Sequence, residues 1–482
     1  MGILSACEPK NVFRIFEEIC AIPHGSGNTQ AISDYCEAFA KARGFQAKQD
    51  AYGNVIILKP ASKGYEQAQP IIIQGHLDMV CEKDPDCQKD MSKEGLTLTL
   101  DGDWISAQGT TLGGDDGVAV AMALALLEED MPHPALEILL TTDEETGMDG
   151  AQNVDLSSFQ GRQLLNLDCE EEGVLVAGCA GSVTVESSLP VHWQEAFGKR
   201  YRLSIEGLKG GHSGVEIEKG LANANQLMGR LLHGIYTQIP FQLQELSGGT
   251  RDNVIAFLAS AVLLLPEGKD NQIISLVNAW ENIFQREYQV TEPELRINVE
   301  ILPEAKTDVL PFSDTEACIN LLLLAPYGVE AMSMDIPGLV QTSCNPGIVD
   351  LREDGVMVLR CMARSSLSSQ KEMMEERIHT LTTLCGGTAK TLSDCPPWEF
   401  RSVSPFRDKL EKVYAAQYGE KPKLTAVHGG LECSLFTDKI KDLDCVSLGP
   451  NILDIHSPRE RLSVSSTERV WRFLCEVLKE SK

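Results

Sequence analysis

The sequence predicts an α/β protein whose catalytic-type domain holds a mostly parallel central sheet, interrupted by an inserted α+β domain. Three observations predict this. Short β-rich runs alternate with helical periods over the first 180 or so residues. Near residue 182 the pattern changes to alternating, half-exposed strands. After the Pro-rich stretch CPPWEFRSVSP at 395–405 the α/β character returns. A chain of 482 residues is also too long for a single core.

Each element has its own reason. Residues 9–22 and 28–43 carry apolar positions at helical spacing, and Gly44 suits a helix C-terminus. NVIILK at 54–59, PIIIQG at 70–75, ALEILLTT at 135–142 and QLLNLD at 163–168 are brief, apolar and β-branched, as buried strands are. GVAVAMALALLEE at 117–129 is an Ala-rich, nearly all-apolar helix that must be buried. SVTVESSLPV at 182–191 and RYRLSIEGL at 200–208 alternate as one-sided strands do. Helices are expected at 219–236, 270–288, 312–324 and 368–384, and strands at 294–302, 355–363 and 387–392. PFRDKLEKVYAAQYG, LDCVSLGP and TERVWRFLCEVLKE then supply helix, strand and helix. The expected division is 1–181 with 396–482 as one domain and 182–395 as the insertion.

Composition narrows the function classes. The net charge of -28 opposes binding to nucleic acid or anionic membrane. The fifteen cysteines are odd in number and scattered, with no CxxC, and several sit in apolar segments. They read as buried free thiols of a reducing compartment. No run of about 20 uncharged apolar residues exists to span a membrane. The N-terminal segment lacks the basic and apolar regions of a signal peptide, so a cytoplasmic location is expected.

The chemistry lies at the ends of the apolar runs. QGHLDMV brings His76 and Asp78, GGDDG brings Asp115 to a helix start, and TTDEETG brings Glu144 and Glu145. LLNLDCEEEG ends at Asp168, and SLGPNILDIHSPRER ends at His456. Each residue alone has an ordinary reading, a hydrogen-bonded histidine or a helix N-cap. Together they do not, because carboxylates should not converge unless a cation holds them. Two imidazoles and three carboxylates (His76, Asp115, Glu145, Asp168 and His456) suit two zinc-type ions sharing one carboxylate. Asp78, two residues after His76, can orient that histidine through its second ring nitrogen. Glu144 is then free to act as a general base. Neither GxSxG nor HExxH occurs, which removes the serine-hydrolase and zincin readings.

The ordered set HLD, GGDDG, DEETG, NLD and DIHSPRE, with HGGLECSLF at 428–436, resembles the aminoacylase/carboxypeptidase-type family of dizinc exopeptidases. Within it the chain is most similar to the aminoacyl-histidine (Xaa-His) dipeptidases. The resemblance runs from Phe13 to the last helix. It implies that Asp115 bridges two ions, that His76 and Asp168 complete one site, and that Glu145 and His456 complete the other. It implies Asp78 as the residue orienting His76 and Glu144 as the base. It implies that the inserted domain is a lid that pairs two subunits. His212 in KGGHSG would approach the substrate carbonyl, Asn253 in GGTRDNVIA would lie near substrate, and Arg364 would pair with the substrate carboxylate. The family often has Asp-x-Arg before that arginine, whereas this chain has Cys361-Met362-Ala363-Arg364.

The expectation is a metallo-dipeptidase of broad specificity toward Xaa-His and related dipeptides. It would use two divalent ions, zinc first and manganese or cobalt as substitutes, and would act as a homodimer. Two alternatives stand beside it. One is an N-acyl amino acid deacylase on the same centre; the other is a non-catalytic, metal-dependent peptide binder.

Overall fold

The computed structural model describes residues 2–482. It divides into two compact units: Met1–Gly178 with Phe400–Ala426 and Leu431–Lys482, and Cys179–Glu399 with Val427–Gly430.

The first unit is built on an eight-stranded sheet. Its order is Gln46–Gln49, Val55–Lys59, Leu136–Thr141, Ile71–His76, Gln163–Asn166, Asp444–Ser447, Val174–Cys179 and Lys423–Val427. The four middle strands, from Leu136–Thr141 to Asp444–Ser447, run parallel. The flanking pairs Gln46–Gln49 with Val55–Lys59, Val55–Lys59 with Leu136–Thr141, and Asp444–Ser447 with Val174–Cys179 are antiparallel. Ile71–His76 and Leu136–Thr141 are buried at every residue, which explains their unbroken apolar sequences. Parallel pairing brings their carboxyl ends to one edge, with His76 in register with Thr141. The loops that follow these strands therefore start side by side, and this places the site.

The helix Gly114–Glu128 packs on the strand Ile71–His76 and the helix Lys10–Cys20. It is buried from Gly114 to Leu127, so it needs no polar face. Its alanines let the backbone lie close to the sheet, and each buried Val or Leu contributes about 1.5–3 kcal/mol. Lys10–Cys20 is amphipathic and turns Val12, Phe13, Phe16 and Ile19 into the same core. A four-stranded sheet of Leu98–Asp101, Trp104–Ala107, Arg461–Ser463 and Ile452–Leu453 was not expected from the sequence. Its strands are short and half-exposed, so their apolar pattern is faint.

The second unit is a nine-stranded sheet whose pairs are antiparallel. The helices Ala224–Tyr236, Asp270–Glu287, Phe312–Leu324 and Ser368–Leu384 contribute to its core, with Leu227, Leu231, Phe284, Leu322 and Met374 buried. The first of these was expected from residue 219. It begins at Ala224 because the Asn223 side chain accepts the N–H groups of Asn225 and Gln226. The strand expected over 294–302 continues through Val309 as the long edge strand Arg296–Val309. No disulfide joins any of the fifteen cysteines. Among the described residues no helix is long and apolar enough to cross a membrane.

Candidate metal centre

His76 is the last residue of its strand and Asp168 follows Gln163–Asn166 by two residues. His76 Nε2 lies 3.0 Å from Asp115 Oδ1 and 3.8 Å from Asp168 Oδ1. The other Asp115 oxygen, Oδ2, lies 3.2 Å from His456 Nε2, which is itself 3.0 Å from Glu145 Oε1. Asp115 thus faces one histidine with each oxygen. Ligand atoms of His76, Asp115 and Asp168 lie within 4.8 Å of one another, as do those of Asp115, Glu145 and His456.

The backbone prepares this meeting. Asp115 and Asp116 sit at the start of Gly114–Glu128 with non-helical angles, so the Asp115 carboxylate turns out of the helix. Glu144 and Glu145 follow the strand Leu136–Thr141 through Asp143, whose φ is +57°. His456 does not end a strand of the main sheet. It lies on the turn between Ile452–Leu453 and Arg461–Ser463, at φ +58°. Gly449 and Pro450 break the chain after Asp444–Ser447, which is why the strand cannot carry that histidine.

Asp78 is almost fully buried. His76 Nδ1 lies 3.0 Å from the Asp78 backbone oxygen and 3.5 Å from its carboxylate. That carboxylate also accepts the Ser26 hydroxyl at 2.8 Å and the Glu144 and Glu145 N–H groups at 3.0 and 3.3 Å. Among the described residues Glu144 makes no ion pair with a lysine or arginine, and its carboxylate lies near His76 and Glu145. Burial pushes its carboxyl up to about 8, and Glu432, Glu145 and Asp115 add to that against the opposing pull of His76.

The donors are the right type and number for two ions. Asp115 and Glu145 carboxylates hold the His456 imidazole up at about 10. Burial opposes a charge on His76, yet the Asp115 and Asp78 carboxylates outweigh it and raise that pKa well above 6.5. Asp168 is pushed well up by burial, then by Asp116. Asp168 resists ionisation beside two imidazoles drawn toward the charged form by Asp115 and its neighbours, so the set is one that divalent ions would complete.

The second unit holds the remaining expected residues. His212 pairs with Val254 across two short strands, and the Ser213 N–H donates to Asn253 O at 2.9 Å. Arg364 is paired with Ser343, whose hydroxyl is 2.7 Å from His428 Nε2. Arg364 is buried with its Nε lacking a partner. Burial, then the Arg364 charge, lowers both His212 and His428. His212, Arg364 and His428 therefore form one electropositive cluster within that unit.

Residues 72–480 match the peptidase family M20/M25/M40. The chain belongs to this family.

The M20/M25/M40 assignment is supported along the whole length. The cytosol non-specific dipeptidase of Escherichia coli (strain K12) is 36% identical over 483 residues, covering 100% of this chain and 99% of that one. The crystal structure of aminoacylhistidine dipeptidase from Vibrio alginolyticus aligns with a TM-score of 0.91 at 32% identity, covering 99% of this chain and 98% of that one. Aminopeptidase PepT from Bacillus cereus shares the fold, with a TM-score of 0.56 at 16% identity over 98% of this chain and 99% of its own.

Three acids of this M20/M25/M40 peptidase were not singled out in the sequence. Asp116 accepts the His76 N–H at 3.0 Å. Glu432, from HGGLE, accepts Gln74 Nε2 at 2.6 Å and Thr141 Oγ1 at 2.7 Å beneath the same sheet edge. Burial raises its carboxyl to about 7. Glu460, four residues after His456, is buried against the GGDD turn. The motifs contained all three, but nothing local distinguishes a buried clamp from a surface acid.

Proposed function

We propose that this chain is a dinuclear-metal dipeptidase that cleaves Xaa-His and related dipeptides, with broad specificity. The observation that carries the reading is the cluster of His76, Asp115, Glu145, Asp168 and His456, buried except at the half-exposed His456, with Glu144 beside it. The similarity to two full-length relatives named as dipeptidases supports it.

His76, Asp115 and Asp168 would hold one divalent ion, and Asp115, Glu145 and His456 the other. Bound there, the ions would polarise the scissile carbonyl and lower the pKa of water. Glu144 takes the proton from the attacking water and later delivers it to the leaving amine. Asp78 holds the Glu144–Glu145 backbone and faces the ring of His76. Arg364, with an unpaired buried Nε, takes the substrate carboxylate, and Asn253 lies beside the substrate. His212 donates to the developing oxyanion.

Imidazole and carboxylate donors in sets of three suit zinc, with manganese or cobalt able to substitute. The second unit acts as a lid that pairs two subunits. Its exposed edge strand Arg296–Val309, with Ile301 and the neighbouring Phe197 uncovered, supports a homodimer. Cysteines without disulfides and an acidic composition agree with a cytoplasmic location.

Metal analysis of the purified chain, followed by turnover on free dipeptides and on N-acetyl amino acids, tests this reading. Two ions per chain with hydrolysis of free dipeptides is the expected result. Hydrolysis of N-acetyl amino acids alone would make it a deacylase, and two ions without hydrolysis of either class would make it a binder.

A further inference from the structure

One carboxylate ties together two parts of the metal centre that are far apart in sequence. Glu460 Oε2 accepts the N–H groups of Leu112 at 2.8 Å and Gly113 at 3.1 Å. Its Oε1 accepts those of Gly114 at 2.7 Å and Asp115 at 3.3 Å. Four consecutive N–H groups thus converge on one side chain that is 2% exposed. The turn needs its glycines for this. Gly113 has φ +66°, and a Cβ on Gly114 would stand 3.2 Å from Glu460 Oε1.

The fourth N–H belongs to Asp115, whose oxygens face both histidines. Glu460 in turn closes the loop bearing His456, its own N–H donating to Ser457 O at 3.0 Å. The same side chain therefore sets where Asp115 presents its carboxylate and how near His456 comes to it. We infer that Glu460 is a positioning residue for the metal centre, locking the Asp115 turn and the His456 loop into one ligand-bearing frame. This rests on the dinuclear reading above.

The chemistry of an amide makes the inference testable. A glutamine at this position has one acceptor oxygen. Whichever way it turns, two of the four N–H groups lose their acceptor and meet an NH2 group instead. Glu137 supplies the control. It is a buried carboxylate that clamps the Gln160 and Gly161 N–H groups at 2.8 and 2.9 Å and has no contact with the ligand cluster.

Metal-stripped wild type, Glu460→Gln and Glu137→Gln chains should be titrated with Zn²⁺ against a chromophoric chelator, with circular dichroism and thermal melts on the same samples. Glu460→Gln is expected to bind Zn²⁺ roughly 10–100-fold more weakly. Glu137→Gln should lose thermal stability and keep wild-type affinity. Wild-type affinity in Glu460→Gln, or an equal loss in Glu137→Gln, would overturn the inference. Should Glu460→Gln not fold, Glu460→Asp keeps both acceptor oxygens on a shorter arm and carries the test: several-fold weaker binding supports the inference, and unchanged binding overturns it. A wild type that takes up no ions would instead sink the dinuclear reading itself.

Discussion

The Asp78 carboxylate accepts the backbone N–H of Glu144 across 66 residues of chain, at 3.0 Å. The residue that faces His76 from behind also aims the candidate base. The candidate ligand and the candidate base are therefore held by one anchor, and only a change to the Glu144 side chain itself separates the roles proposed for them.

Glu144→Gln keeps the backbone N–H and the side-chain size while removing proton transfer. Two ions per chain should remain, and turnover of a free dipeptide should fall by roughly 10²–10⁴-fold. Near wild-type turnover would make Glu144 a structural residue.

Asp115→Ala should release both ions, because one carboxylate faces both histidines. Elemental analysis after gel filtration reads this directly. Two ions retained per chain would exclude Asp115 as the shared ligand.

The histidines of the second unit give a pH dependence with a definite sign. Burial, then Arg364, lowers His428 to about 4 in the folded chain. An unfolded histidine titrates near 6.5. Between these values the unfolded state holds more protons, so stability falls as pH drops from 6.5 toward 4 and levels off below. The share of His428 is roughly 3 kcal/mol across that window. His428→Gln can still hydrogen-bond Ser343 and should flatten the acid slope of urea unfolding. An unchanged slope would place the titration elsewhere.

If the second unit pairs subunits and His212 reaches across, mixing inactive chains restores activity. His212→Ala should lower kcat by roughly 10²–10³-fold with the metal content unchanged. Co-folding it with Glu144→Gln should then regain activity, since one of the two sites becomes intact. Confirmed subunit exchange with no recovery would confine His212 to its own chain.

How far the sequence could be read follows from the range of each interaction. The helices Phe312–Leu324 and Ser368–Leu384 match their expected bounds because their apolar spacing is local. His76, Glu144, Glu145 and Asp168 could be picked out as candidates because each follows an apolar run, whereas Asp115 opens a helix and His456 lies on a turn. The hairpin of Leu98–Asp101 and Trp104–Ala107 went unread although Asp101-Gly102 is a turn signal, since the strands around it are short and half-buried. Glu460 and Glu432 were opaque for a different reason. Their partners lie about 350 residues away along the chain, at Leu112 and Gln74, and no period or motif reports such a pairing.

The order of strands in the main sheet has a consequence for biosynthesis. Asp444–Ser447 sits between Gln163–Asn166 and Val174–Cys179, two strands that the ribosome releases long before it. Until the later strand arrives, the sheet has a gap beside Gln163–Asn166, and the His456 loop and its Glu460 anchor do not yet exist. The intervening chain, which builds most of the second unit, must first emerge. A nascent chain thus carries an open, apolar sheet edge while it grows, which is a time of risk for aggregation. It also lacks His456 and Glu460 during that time, so the candidate metal centre is assembled only when the last segment docks.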